Sequence, residues 1–212
     1  MLKTLIQLDI YQFIYWNFIS KKIKRDKKCY IFPYPNAKIQ IGKDSIIELH
    51  GNLLVNAHKV AHSKAEAYVN LRNNATLIIG HGTTTLTYNS TIELHDNAIV
   101  EIEQAYFNIG CVLLSSKSIK IGTDVGIARD VFIYDTDAHQ ILNENGIRTN
   151  TDKPVIIGNH VWIGLKSNIF KGSRIEDGAV ISAGSTVSGK VKRNCLAMGN
   201  PARTLSLIQW KW

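Results

Sequence analysis

Asp135, Asp137 and His139 fall within five residues of one another and are the group in this chain best suited to moving a proton. An unperturbed imidazole titrates near pH ~6.5, so it can take and return a proton at neutrality. A carboxylate beside it can hold the correct tautomer and stabilise the imidazolium as it forms. Either Asp135 or Asp137 can fill that place. The three residues open a polar run, 134–153, that contains Asn143, Asn145, Gly146, Asn150 and Asp152 and is closed by Pro154. A histidine in a polar loop is commonly just solvated. His139 is set apart because its loop interrupts a pattern that is otherwise regular, and protruding loops on rigid scaffolds are where functional residues concentrate.

That pattern is a beat of six. Aliphatic residues stand at Ile157, Ile163, Ile169, Ile175, Ile181 and Val187, and small or short ones at Val161, Ser167, Ser173, Ala179, Ser185 and Val191. Ile121, Ile127 and Ile133 keep the same beat, with Gly122, Val125 and Val131 in register. Neither a helix nor a simple alternating strand has this period. A short strand and a tight turn repeated as the sides of a triangular coil do. Both marked positions of each hexad then face inward, and stacked coils build close-packed columns. Corners that need φ > 0 favour Gly, Asn and Asp, which accounts for Gly172, Asp177-Gly178, Gly184 and Gly189. Upstream, the phrase Ser45–Val55 recurs as Ser90–Val100, which suggests equivalent coils separated by a loop or short helix near 56–70.

The hexad resembles the repeat of the left-handed parallel β-helix acyltransferases. The likeness is specific over about 109–203, weaker over 39–102 and absent from the first thirty residues. It implies an all-β, left-handed parallel β-helix with an N-terminal helical segment and a protruding active-site loop. The run Asp135-Thr-Asp-Ala-His139 is similar to the Asp-x-Asp-x-His motif of the family's sugar O-acetyltransferases. By that resemblance His139 is the general base for an acceptor hydroxyl, whose oxygen attacks the thioester of acetyl-CoA directly. The implied acceptor is a sugar or polysaccharide precursor, with an antibiotic as the alternative.

The resemblance also assigns acetyl-CoA contacts. Trp162 and Gly164 match the family's Trp-Ile-Gly step, where Trp lines the cleft and Gly lets the pantetheine approach the backbone. Ser182 and Ala183 match the segment that pairs with the pantetheine amides. Asn200 and Arg203 lie in Gly-Asn-Pro-Ala-Arg, which resembles the family's closing motif with a cation near the CoA phosphates. The family often places Lys directly after Ser or Thr in the following coil; here Gly189 intervenes between Ser188 and Lys190, the remaining cofactor candidate. Family members are typically homotrimers with sites between neighbouring coils, so His139 and Trp162 are expected to meet from different copies.

Three cysteines, Cys29, Cys111 and Cys195, are an odd count without a CxxC, which points to a reducing compartment and no disulfide framework. Cys111 and Cys195 fall in the repeat and read as small structural residues. No metal is expected. A zinc site of the carbonic-anhydrase kind on the same solenoid needs three converging histidines, and only His58 and His62 show related spacing. A non-catalytic scaffold is the third reading.

The formal net charge is +8. Residues 1–30 carry seven Lys or Arg against two acids, so most of the excess is local. No basic and aromatic residues interleave in the way that stacks bases, which argues against nucleic acid. Residues 2–19 are apolar and aromatic with helical spacing, too short and polar for a membrane span, and end in the basic run 21–28. A helix lying on an anionic membrane surface fits this order; a cap on the solenoid or a trimer contact is the competing reading. The expected organisation is 1–30 as the aromatic and basic helical segment, 31–195 as the β-helix with its loop at 134–153, and 196–212 as an apolar tail. The expected location is cytoplasmic, peripheral at the inner face of a bacterial membrane.

Overall fold

In the computed structural model, which describes residues 8–60 and 62–212, the chain winds into a three-sided parallel β-helix, left-handed as the hexads imply. Up to Cys195–Gly199, successive strands visit the three faces in turn and pair in parallel with the strands one coil above and below; the last strand, Ala202–Leu207, folds back antiparallel on it. The first face has eight strands, from Ile23–Arg25 to Lys190–Val191. The second has nine, from Ile31–Pro33 to Ala202–Leu207, and the third has seven, from Ala37–Ile41 to Thr186–Val187.

Hydrophobic burial explains the beat. Ile157, Ile163, Ile169, Ile175, Ile181 and Val187 are all buried, one per side, and in-register pairing stacks them into continuous columns. Each such side chain contributes roughly 2–3 kcal/mol by leaving water. The second inward position must be small because it sits beside the corner. Where it is serine, the hydroxyl bonds to backbone carbonyls: Ser167 Oγ donates to Ser182 O at 3.0 Å and Ser173 Oγ to Val187 O at 2.9 Å. No buried hydroxyl is therefore left open at these steps. Gly172, Gly178 and Gly184 take φ between 69° and 80° at corners, as do many Asn and Asp residues elsewhere; Gly189 does not, which corrects that expectation.

Other boundaries also differ from the sequence reading. The repeated phrases do not occupy equivalent places: Ile46–Leu49 lies on the first face and Thr91–Leu94 on the third. What the two share is a corner serine. Ser45 Oγ accepts from Ala75 N, and Ser90 Oγ accepts from Cys111 N, each in the next coil. The repeating unit is thus a side, not a turn. The excursion expected over 56–70 is shorter, since Asn52–Ala57 and Ala67–Leu71 are strands.

At the N-terminal end the predicted helix is described from Ile10; its first residues, up to 7, lie outside the described chain. Asp9 caps it by accepting from Gln12 N at 3.1 Å. The helix Ile10–Ile14 runs into a π turn, Tyr15–Ile19, and the solenoid starts at Ile23 rather than 31. Buried Asn17 fastens this cap: its amide donates to Ile31 O at 2.7 Å and its oxygen accepts from Ile31 N at 3.0 Å. Among the described residues no helix is long and apolar enough to cross a membrane.

Candidate active site

The loop that carries His139 leaves the third face after Phe132–Tyr134 and rejoins the first face at Val155–Ile157. It therefore stands at the corner between those faces. Its outer part doubles back as a small hairpin, with a bridge between Leu142 and Arg148 and with Ile141, Leu142 and Ile147 exposed.

Hydrogen bonds fix the base of this loop. Asp135 is fully buried and accepts from Ser115 Oγ at 2.6 Å, Ser116 N at 2.7 Å and Lys117 N at 3.0 Å. It ties the loop to the coil below and makes no hydrogen bond to the imidazole, so this one of the two carboxylates left open as the orienting group is committed elsewhere. Asp137 makes no hydrogen bond to the ring either: its Oδ2 accepts from Lys171 Nζ at 2.5 Å and from Asn150 Nδ2 at 2.8 Å. His139 is exposed, and its backbone is held on both sides. Its N–H donates to Asp137 O at 2.7 Å across Ala138, whose φ is +61°, and its carbonyl accepts from Asn150 Nδ2 at 2.8 Å. A three-residue turn with φ > 0 at alanine is strained and persists only where neighbours over-determine it. Thr136 Oγ1 supplies part of that support, accepting from Ala138 N at 3.0 Å while donating to Asp152 at 2.8 Å.

Asn150 and Lys171 are thus the positioning residues that sequence reasoning missed. They meet Asp137 from 13 and 34 positions away, and no local pattern announces such contacts.

The Lys171 ammonium, with help from the Asn150 amide, holds the Asp137 carboxyl below the usual carboxylate range. A carboxyl lowered on folding contributes stability in full above its ordinary value of about 3.9 and loses it as pH falls through the lowered one. The loop base should therefore hold at neutrality and loosen only in acid. In an NMR titration the Asp137 carboxyl carbon should change below the ordinary value, and Lys171→Met should return the inflection toward it. An unmoved inflection would show that the pair does not set the carboxyl's charge.

The cofactor candidates divide between two places. Gly164, Ser182 and Ala183 stack at the corner between the second and third faces, and the tip of the closing hairpin lies over them, with Gly199 N donating to Ser185 Oγ at 3.2 Å. A Cβ on Gly164 would stand 2.6 Å from Ala183 N, so glycine is what lets two coils meet there. Exposed Asn200 is at the hairpin tip, and exposed Arg203 on its return strand lies opposite Met198. Lys190, the remaining cofactor candidate, does not join them: it is on the first face, paired with Glu176 at 2.7 Å.

Trp162 projects from the second face, 44 % exposed, in register with Gly126 and Val180. The C-terminal tail crosses this face. The Trp212 ring lies over Gly126, and its indole N–H donates to Asp124 Oδ1 at 2.6 Å. His160 stacks on Trp210 at 4.0 Å and bonds Asp124 Oδ2 at 2.6 Å, so the apolar tail packs back on its own coils. The Asp124 carboxylate, then the Trp210 carbonyl, hold the His160 pKa above its ordinary value. Beside Trp212 an open cleft of about 450 Å³ is lined by Thr83, Thr85, Gln104, Tyr106 and Asp124, among others.

Cys111 and Cys195 are buried in the coils, and burial pushes the Cys111 thiol up to about 12, which removes it as a nucleophile. Among the described residues no group of three His, Cys, Asp or Glu is arranged to hold a metal.

No protein-family profile matches the chain. It is 37 % identical over 103 residues to the polysialic acid O-acetyltransferase of Neisseria meningitidis, covering 47 % of each chain. It is 35 % identical over 105 residues to the galactoside O-acetyltransferase of Escherichia coli, covering 49 % of this chain and 51 % of that one. The chain thus spans about half the length of these curated relatives. The crystal structure of the polySia-specific acetyltransferase NeuO superposes with a TM-score of 0.56 at 25 % identity, covering 91 % of this chain and 90 % of that one. With its hexads, its three-sided coil and these likenesses, the chain shares the left-handed β-helix fold and is similar to the hexapeptide-repeat acyltransferases.

Proposed function

We propose that this protein transfers the acetyl group of acetyl-CoA to a hydroxyl of a sugar or polysaccharide precursor, with His139 as the general base. The observation that carries the reading is the His139 loop: a run of regular coils is interrupted to present an imidazole on a backbone pinned by Asn150. His139 removes the acceptor proton as the oxygen attacks the thioester carbonyl. The imidazolium then returns that proton to the leaving sulfur. Gly164, Ser182 and Ala183 line the corner along which the pantetheine arm lies, and Arg203 faces the phosphates. The named O-acetyltransferases of galactosides and polysialic acid support a glycan acceptor. So does the cleft beside Trp212, which offers aromatic faces from Trp212 and Tyr106 among hydroxyl and amide groups.

The working unit on this reading is an assembly of copies, a homotrimer. His139 stands at the corner between the third and first faces, whereas Trp162 and the pantetheine corner belong to the second face and its far edge. One chain therefore holds its base and its donor groove on different sides. The loop hairpin ends in exposed Ile141, Leu142 and Ile147, an apolar tip suited to a neighbour's surface. The test is release of CoA thiol from acetyl-CoA across a panel of neutral and acidic glycans and aminoglycosides, with light scattering on the same sample. A trimer with glycan-dependent thiol release is expected. A stable monomer, or release with no acceptor in the panel, would overturn the proposal.

A further inference from the structure

The cap formed by Ile10–Ile19 turns apolar side chains both to the solenoid and to solvent. One side is used by the solenoid: Trp16 is buried, and the Phe13 ring packs at 5.7 Å from Phe32 and 6.1 Å from Tyr30. The other side is open. Tyr11 is 90 % exposed, Phe18 67 % and Ile19 62 %, with Ile14 and Tyr15 between them. Tyr11, Ile14 and Tyr15 are neighbours at helical spacing, and the π turn carries the exposed apolar surface on to Phe18, whose ring also packs 6.3 Å from Tyr30. A contiguous exposed apolar patch of this kind marks an interaction surface.

Its chemistry continues into the next segment. Lys21, Lys22, Lys24, Arg25, Lys27 and Lys28 follow within eight residues, against the single acid Asp26, which is already bound to His50 at 2.8 Å. An open cleft of about 510 Å³ joins the stripe to these cations, lined by Asn17, Phe18, Tyr30, Arg25, Lys27 and Lys28 together with Asp26, the acid already paired with His50. Arg25 is held there in a fixed pose. Its guanidinium donates to Asn17 Oδ1 at 2.9 Å and lies 5.7 Å from the ring centroids of both Phe18 and Tyr30. A guanidinium so oriented still has donors free for a phosphate.

We propose that this end of the solenoid docks on a bilayer containing anionic lipids, the aromatic stripe lying in the interface and the Arg25 cleft receiving a lipid phosphate. Exposed Tyr and Phe settle at headgroup depth, and basic residues beside them add electrostatic attraction. Charge chooses this occupant over a second copy of the cap, which would bring two sets of cations together. Nothing in the docking depends on the acetyl transfer proposed above, and the two stand or fall separately.

The test is co-sedimentation of the full chain with vesicles of phosphatidylcholine alone or mixed with phosphatidylglycerol. Binding to the mixed vesicles is expected, weakening with added salt. Each surface cation is worth about fivefold in partitioning. The triple change Lys21→Gln, Lys27→Gln, Lys28→Gln should therefore lower partitioning on the order of 100-fold. Tyr11→Ser with Phe18→Ser should lower it as well, with the oligomeric state unchanged by light scattering. Equal partitioning onto both vesicle types, or unaltered binding by either variant, would overturn the proposal. A changed oligomeric state in the Tyr11→Ser, Phe18→Ser variant would overturn it too, since another copy would then cover the stripe.

Discussion

His139→Ala lowers turnover of acetyl-CoA by about 10²–10⁴-fold, the range general-base help supplies, and leaves affinity for CoA within about twofold. The split follows from the geometry. The imidazole sits on the loop between the third and first faces, and the groove residues Gly164, Ser182 and Ala183 belong to another corner. Removing an exposed ring also disturbs little packing, so the melting temperature should hold. Asn150→Ala tests the same idea indirectly. Its amide is the only side-chain group among the described residues that bonds the His139 carbonyl, and it also holds Asp137. A loss of roughly tenfold in kcat, with His139 intact and KM for CoA little changed, is expected of a positioning residue. Steady-state kinetics on both variants decide the matter. Wild-type kcat in His139→Ala would remove the imidazole from the chemistry altogether.

How much of this was readable in advance depends on whether the determinant was local. The hexads of 157–191 were readable because each inward Ile and its small partner fill the same place in every coil, so the physics repeats with the letters. The break at 134–153 was readable for the same reason, as the absence of that repetition. The N-terminal boundary was not. Ile23–Arg25 becomes a strand through pairing with Ile47–Leu49, a coil away, and its own basic sequence carries no strand pattern. An apolar tail that packs on the coils or on a neighbour was legible from its residue types, but its partners were hidden, because Asp124 and Gly126 on one coil and His160 on the next receive Trp210 and Trp212. Within the site, the residue types were legible but their partners were not. Two carboxylates beside a histidine suggest an orienter, yet the coil below claims Asp135 and Lys171 claims Asp137. Among the described residues neither carboxylate makes a hydrogen bond to the His139 ring.

That division of labour gives Asp135→Ala a large effect of a different kind. Asp135 is 0 % exposed, and its two carboxyl oxygens satisfy a serine hydroxyl and two successive backbone N–H groups at 115–117. Alanine would strand all three donors where the coil turns. Each orphaned donor costs about 1–3 kcal/mol, and water entering the vacated space recovers part of this, so the net loss should be about 3 kcal/mol or more. In a chain of this size each 1 kcal/mol lowers Tm by roughly 2–4 °C, which predicts a fall of about 6–12 °C. Asp135→Asn should fall in between, because it keeps one acceptor oxygen but sets an amide N–H₂ against a donor. An orienting carboxylate would behave in the opposite way, since its loss would cut kcat steeply at temperatures where the protein is fully folded and leave Tm alone. The two readings separate cleanly when Tm and kcat per folded molecule are measured on the same preparations. A Tm within 2 °C of wild type, together with a hundredfold lower kcat, would reinstate Asp135 beside the histidine through a rearrangement of the loop. A large fall in Tm with kcat changed less than about tenfold, the result expected here, makes Asp135 the rivet that holds the loop's first residues to the coil beneath.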